Sequence, residues 1–587
     1  MLQLLHYLNR QETTRCAFVF ILILVQVWLE LKLPDYMADI TILVETPDST
    51  LMDIVRQGAY MLLCAACAAL AFLLTAYLAA RVAAGLSRTL RRTVYEKTLH
   101  FSQKELQHFS TASLINRTTN DITQIQQLVS IALQILLKGP ILAAWAIWKI
   151  SGKEWQWSAA TAVAVFFLLI VMSAVLIFVV PRFRLVQKLS DTLNRIVREQ
   201  LQGIRVIRAY NANKYQEQKF AAANAALTQN DLFSGRIMAI LEPAIMLLCM
   251  GLTLAVYWIG ANIISAAGMA DRLRLFADMV VFSNYALQVI MAFMMMNMVF
   301  IMLPRAQVSV HRILEVLNLH SDMTAGTYVP ACREPETRIE FQNVTFRYHE
   351  GAAPVLQDVS FHIQKGQTLA IIGATGSGKT TLMQLLLRCF DTSEGSIRIN
   401  GQDIRSYHRS ALQRLIGYVP QHAMLFSGTI ADNIAYGDNG QPRPDDAAIQ
   451  RAAHLACCTE FIEALPDGYA SPVAQGGSNF SGGQRQRLTI ARAIAWNPEI
   501  FIFDDSFSAL DYQTDRQLRK NLASELRDTI KIIVAQRVGT IRQADEILVL
   551  EHGRIVGHGT HKELLHTCSV YQEIAHSQLS EEELAYV

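Results

Sequence analysis

Residues 373–380 run Gly373, Ala374, Thr375, Gly376, Ser377, Gly378, Lys379, Thr380. This is the full G-x-x-x-x-G-K-[ST] spacing of a phosphate-binding loop, whose glycines let backbone N–H groups close around phosphate at a helix N-terminus. Lys379 is placed to reach the β- and γ-phosphates and Thr380 to ligate Mg²⁺, with Thr381 completing the nucleotide-facing set. Far downstream, the apolar run Ile500–Phe503 ends in Asp504, the acidic partner that such a loop needs to hold the metal. Together the two stretches predict a site for ATP and Mg²⁺. The next residue, Asp505, stands where a side chain would activate the attacking water, a task that glutamate performs better. The chain is therefore expected to bind ATP well and to hydrolyse it slowly on its own.

Between these stretches, Asn479–Arg487 places Ser481, Gly482, Gly483 and Gln484 at a turn that starts a helix. It reads as a second anion-binding device. The plainer reading is a helix cap.

The elements that position these residues follow from pattern. Ile339–Tyr348 alternates like a strand, Thr368–Ile372 is a short buried-type strand entering the loop, and Thr380–Cys389 is the helix after it. Ile500–Phe503 and Ile532–Ala535 are further buried strands. Strands alternating with helices indicate an α/β domain on a largely parallel sheet. This domain is expected over 339–587, after a polar linker, 318–338, that carries Gly326, Pro330 and Pro335.

The preceding part, 1–317, has a different composition. The 587 residues are 52% hydrophobic and only 17% charged, against about 25% charge in ordinary globular chains, which predicts a lipid-embedded portion. Six apolar stretches lie near 16–35, 57–84, 129–150, 157–180, 237–263 and 278–304; each approaches the roughly 20 residues that cross a bilayer. The first, behind Arg10 and Arg15, could be a signal peptide, but no small-x-small cleavage site follows it. The segments after the second and fourth stretches are rich in Arg and Lys and lack Pro and Gly clusters, whereas Asp35, Asp39, Glu45, Asp48 and Asp53 surround the first connection. The positive-inside rule then puts both basic segments and both chain ends on the cytoplasmic side, as extensions of the spanning helices. The net charge of +2 gives no argument for a nucleic-acid partner.

Several residues carry two readings. Cys64 and Cys67 have redox or metal spacing, yet they sit in an apolar run and read as buried weak hydrophobes, as do the other seven cysteines. Glu242, beside Pro243, marks either a pathway or a wetted position near a helix end. Asn284 and Asn297 are polar positions within the sixth stretch. The run Met291–Met298, with Met302, is either an adaptable binding surface or ordinary packing.

The Ser481–Gln484 turn with the phosphate loop makes the chain resemble an ABC exporter half-transporter over essentially its whole length: a six-span membrane domain, then a nucleotide-binding domain. The stretch Arg208–Ala212 is similar to the same branch. The resemblance implies that Tyr348 stacks on adenine, that Gln421 contacts Mg²⁺ and the membrane domain, that Ser481, Gly482, Gly483 and Gln484 form the signature, and that Ser508–Asp511 is the D-loop. In this family two such domains meet head to tail, with each ATP between one chain's phosphate loop and the other's signature. Two positions depart from the pattern. Asp505 replaces the usual catalytic glutamate and Gln536 the usual switch histidine. Glutamine can hydrogen-bond a γ-phosphate but has no titratable ring. Either change alone could be neutral drift. Both beside an intact signature resemble the degenerate member of a heterodimeric, multidrug-type exporter, whose partner carries Glu and His at these positions. Alternating access would follow closure of the ATPase domains, carried by segments around Phe109–Asp121 and Val206–Phe220, in the plasma (cell inner) membrane. A channel or regulatory subunit gated by ATP and a homodimeric exporter are the rival readings; the cargo is not legible.

Overall fold

The fold is that of a computed structural model. It describes residues 6–579 except 47–48, 269–270, 320–322, 324–325, 331–336 and 350; the side chains of 45, 175–176, 180, 183–184, 187, 297–302 and 304–305 also lie outside the description. Glu45, Asp48, Asn297, Met298, Met302 and Pro335, named above, fall among these. The chain forms two compact units, 1–100 with 109–319, and 101–108 with 320–587.

The first unit is helical. Six helices are long and apolar enough to cross a membrane: α1 (Arg10–Glu45), α2 (Leu51–His100), α3 (Thr111–Ser151), α4 (Trp155–Gln202), α5 (Asn213–Ala266) and α6 (Arg272–Asn318). At 1.5 Å per residue the 50-residue α2 is about 75 Å long, more than twice a bilayer's roughly 30 Å core. Hydropathy marks only the part that lipid can hold. Good helix formers then carry the same helix onward, so the basic segments continue α2, α4 and α5 rather than loop away. The first apolar stretch sits inside α1, and Val19, Ile23, Val27 and Leu31 are buried in the unit's core with Trp157, Phe282 and Ile290.

Several charged side chains within this unit are paired. Lys138 of α3 meets Glu30 of α1 at 2.8 Å, and Lys149 meets Asp35 at 2.7 Å. Tyr285 Oη donates to Asp35 at 2.6 Å and to the Leu31 carbonyl at 2.9 Å. α3 also holds a π-turn, Arg117–Asp121. There Arg117 pairs with Glu315 at 2.8 Å and donates to the Arg312 carbonyl, while Ser309 donates to Asp121 at 2.7 Å. Glu242 is exposed on α5, and Asn284 donates to the Val280 carbonyl one turn back. Cys64, Cys458 and Cys568 are buried as the pattern suggested, but Cys67 is exposed.

The second unit is α/β. Its strands are β1 (Arg338–Phe346), β2 (Leu356–Gln364), β3 (Thr368–Ile372), β4 (Glu394–Ile399), β5 (Gln402–Asp403), β6 (Ile416–Val419), β7 (Gly428–Thr429), β8 (Pro472–Val473), β9 (Ile500–Asp504), β10 (Ile530–Val534), β11 (Glu546–Glu551) and β12 (Arg554–Gly559). The central sheet has order β12-β11-β3-β10-β9-β6 and is parallel except at β12. Its central strands are fully buried, which explains why they read as unbroken apolar runs. A smaller antiparallel sheet, β2-β1-β4-β5, packs through Phe341, Phe361 and Ile397 onto a shared core. The described part of the linker is attached rather than loose: Tyr328 pairs with Tyr407, and Tyr328 N donates to the Ser406 carbonyl at 2.9 Å.

Candidate nucleotide-binding site

The phosphate loop leaves the C-terminal end of β3 and feeds helix α7, Lys379–Leu386. A Cβ at Gly373 would lie 2.0 Å from the Leu550 carbonyl oxygen, so only glycine lets the loop pass β11. Gly378 caps α7 with φ at +102°, a conformation side chains rarely adopt. Lys379 Nζ donates to the carbonyls of Gly373 and Ala374, each at 2.8 Å, folding the ammonium back over its own loop. Burial pushes the Lys379 pKa down, against the pull of Asp505 and Asp504.

Parallel pairing of β9 with β10 sets Asp504 opposite Val534 and brings β9's acidic end beside the loop. Asp504 is buried. Burial raises its pKa, and the adjacent Asp505 charge adds to the rise, while hydrogen bonds from Tyr418 and Thr380 oppose it. The Tyr418 contact, Oη to Asp504 Oδ2 at 3.4 Å, was not foreseen from sequence. Its only local signal is an aromatic hydroxyl near the end of the β6 strand.

Asp505 follows β9 with φ at +48°. Its Oδ2 accepts from Gln536 Nε2 at 2.9 Å and from Gln421 Nε2 at 3.3 Å. Three residues picked from sequence as separate motifs thus meet at one carboxylate oxygen. Burial again raises the pKa, with Gln421 and Lys379 opposing. Gln536 is held from behind: Gln578, at the end of the helix Ser569–Gln578, donates to the Gln536 carbonyl at 2.8 Å and accepts from Val538 N at 2.8 Å.

Tyr348 lies beside the loop's helix. Its hydroxyl is 3.0 Å from Thr381 Oγ1, and its ring meets Phe346 and Phe390 edge-on. Ser481 caps α8, Gly482–Ala495, accepting from Gln484 N while Gln484 reaches back to Ser481 N. The cap reading of this turn is met, and the cap uses the N–H groups of both Ser481 and Gln484. A Cβ on Gly482 would meet nothing within 4 Å, whereas one on Gly483 would lie 3.2 Å from the Ala509 carbonyl. No hydrogen bond among the described residues joins 481–484 to 373–381.

The ABC transporter profile matches residues 356–508, and the ABC transporter transmembrane region matches 16–293. An uncharacterised ABC transporter ATP-binding protein of Mycobacterium tuberculosis is 38% identical over 526 residues, covering 89% of each chain. The chain belongs to the ABC transporter family. An ATP-dependent lipid A-core flippase of Saccharophagus degradans is 32% identical, over 84% of this chain and 81% of its own. A bacterial Atm1-family ABC exporter solved with ATP bound shares the fold, with a TM-score of 0.82 at 24% identity over 97% of this chain and 99% of its own. This ABC transporter is a multi-pass membrane half-transporter, one membrane domain fused to one ABC ATPase domain, and couples ATP hydrolysis to transport across the bilayer.

Proposed function

We propose that this chain is the hydrolysis-impaired half of a heterodimeric ABC exporter. The observation that supports this most is the doubly bonded Asp505 oxygen. A general base needs an oxygen free to take a proton from water at about 2.6–3.2 Å. Asp505 is one methylene shorter than glutamate, and the Gln536 and Gln421 amides hold its Oδ2, leaving Oδ1 as the oxygen that could take a proton.

The loop N–H groups of Gly373–Gly378, with Lys379, Thr380 and Thr381, would hold the ATP phosphates, and Tyr348 the adenine. The oxygens of Thr380, Asp504 and Gln421 suit a hard cation, and Gln421 uses its nitrogen for Asp505, leaving its carbonyl available. Bound Mg²⁺ would neutralise charge developing on the transferred phosphoryl group. The turn Ser481–Gln484, whose capping box leaves the N–H groups of Gly482 and Gly483 unused, would complete the partner's ATP site. The second half-transporter would carry Glu and His where this chain has Asp505 and Gln536. The basic extensions of α2, α4 and α5 favour an inner-membrane orientation with the ATPase domain in the cytoplasm.

The test is the ATPase rate of the purified chain, alone and with its co-purifying half-transporter. Slow turnover alone and faster turnover in the pair supports the proposal. Robust turnover by a verified homodimer overturns it, as does a partner with Asp and Gln at both positions.

A further inference from the structure

A cavity of about 380 Å³ lies within the membrane unit, lined from α1, α2, α3 and α6. Its lining is of two kinds. Met37, Met61, Met291 and Met295 supply flexible, polarizable apolar surface that adapts to varied shapes. Glu30 and Lys138 supply a charge pair at 2.8 Å, with side chains only 27% and 14% exposed.

The pair is incompletely used. Gln26 Nε2 donates to the same Glu30 oxygen, Oε1, that Lys138 holds. Among the described residues, Glu30 Oε2 accepts nothing and Lys138 has no second acceptor. Gln288, which lines the same cavity, keeps its Oε1 buried without a partner. Three polar groups in lipid-crossing stretches therefore have hydrogen-bonding capacity left over, and intramembrane groups of this kind mark substrate paths.

We infer that this cavity binds the transported substrate, and that the substrate is an amphiphile with an apolar body and an electroneutral, hydrogen-bonding head, zwitterionic or uncharged. A singly charged head would draw one member of the Glu30–Lys138 pair and strand the other as an unmatched charge in a poor solvent for it. A head with no net charge keeps the balance. A zwitterion sets its cationic end against Glu30 Oε2 and its anionic end on the remaining Lys138 protons, while hydroxyls of an uncharged head donate to Gln288 Oε1 and Glu30 Oε2 and accept from Lys138. This inference rests on the reading of the chain as an exporter, but not on the slow ATP site or on the identity of the second half-transporter.

The experiment uses the full chain, as purified with whatever half-transporter accompanies it, in lipid nanodiscs. The probes are dansylated dodecyl chains carrying a carboxybetaine, a diol, a trimethylammonium or a sulfate head, and binding is read by fluorescence without ATP. The betaine and diol are expected to bind, with the two charged heads about tenfold weaker or more. Lys138→Met should shift preference toward the cationic head, and Glu30→Gln toward the anionic one. Met291→Ala with Met295→Ala should weaken all heads alike. If a single charge variant fails to fold, the exchange Glu30→Lys with Lys138→Glu keeps the pair, and should keep the preference for neutral heads. Equal binding of all four heads to the wild type overturns the inference, and so does a preference unmoved by the single substitutions. Displacement of the betaine by phosphatidylethanolamine would support the site and trace the substrate to the bilayer. Binding of the betaine without such displacement would support it with a water-borne amphiphile. Retained head preference beside a failed ATPase pairing would separate this inference from the proposal on the ATP site.

Discussion

Gln536 Nε2 stands 2.9 Å from Asp505 Oδ2 and donates to it, so the two positions at which the sequence departs from the family pattern are bonded to each other. The backbone at Asp505, with φ at +48°, suits Asp or Asn better than Glu.

Restoring one residue should therefore do little. Asp505→Glu alone is expected to raise turnover modestly at most, because Gln536 remains and the longer side chain meets a strained backbone. The double change with Gln536→His is expected to raise it further, by about tenfold, part of the roughly 10²–10⁴-fold that a well-placed general base contributes. Steady-state ATPase of the two variants in the same pair measures this; equal rates would count against it.

The signature should matter to a different site from Asp505. Gly482→Asp places a charge where a Cβ meets nothing within 4 Å, so the fold should survive, whereas Ser481→Arg adds bulk and also removes the α8 cap. Each is expected to cripple the pair's ATPase far more than Asp505→Asn. Equal losses from both kinds of variant would contradict the assignment.

Asp505 should also govern stability with pH. Its pKa is raised by burial, so the native state holds this proton to higher pH than the unfolded chain, whose value is about 3.9. Ionised Asp505 thus costs stability at neutral pH, and the cost disappears as pH falls through the folded pKa toward the unfolded one. Asp505→Asn is expected to raise the thermal midpoint at neutral pH, with the gain shrinking in acid. A gain that grew in acid would reverse the sign.

Much of this site is local in the chain and was legible. A phosphate loop is eight consecutive residues, and Asp504 announces itself as the acid ending a buried strand. The bonds among Asp505, Gln421 and Gln536 span 31 and 84 residues of sequence and depend on β6, β9 and β10 lying side by side. Spacing cannot convey that. The Glu30–Lys138 pair joins residues 108 apart for the same reason. The linker misled differently: its Gly and Pro composition suggests slack, yet Gly326 is packed so close to the Ser406 carbonyl that a Cβ would lie 2.1 Å from it.

The π-turn of α3 offers a separate test. Arg117→Ala would leave Glu315 unpaired and remove a bond to the Arg312 carbonyl. A loss of about 1–3 kcal/mol is expected, read as thermal unfolding in nanodiscs, with Arg117→Lys recovering only part of it because Lys lacks the fork geometry.

Gln578 grips the backbone on both flanks of Arg537, one bond to the Gln536 carbonyl and one from Val538 N. A single side chain from the helix Ser569–Gln578 thus splints the loop that presents Gln536 to Asp505. Substitutions or dyes at Gln578 are consequently not neutral handles for this protein. A label attached to that helix at Gln578 would remove the side chain that holds the Gln536 backbone in place.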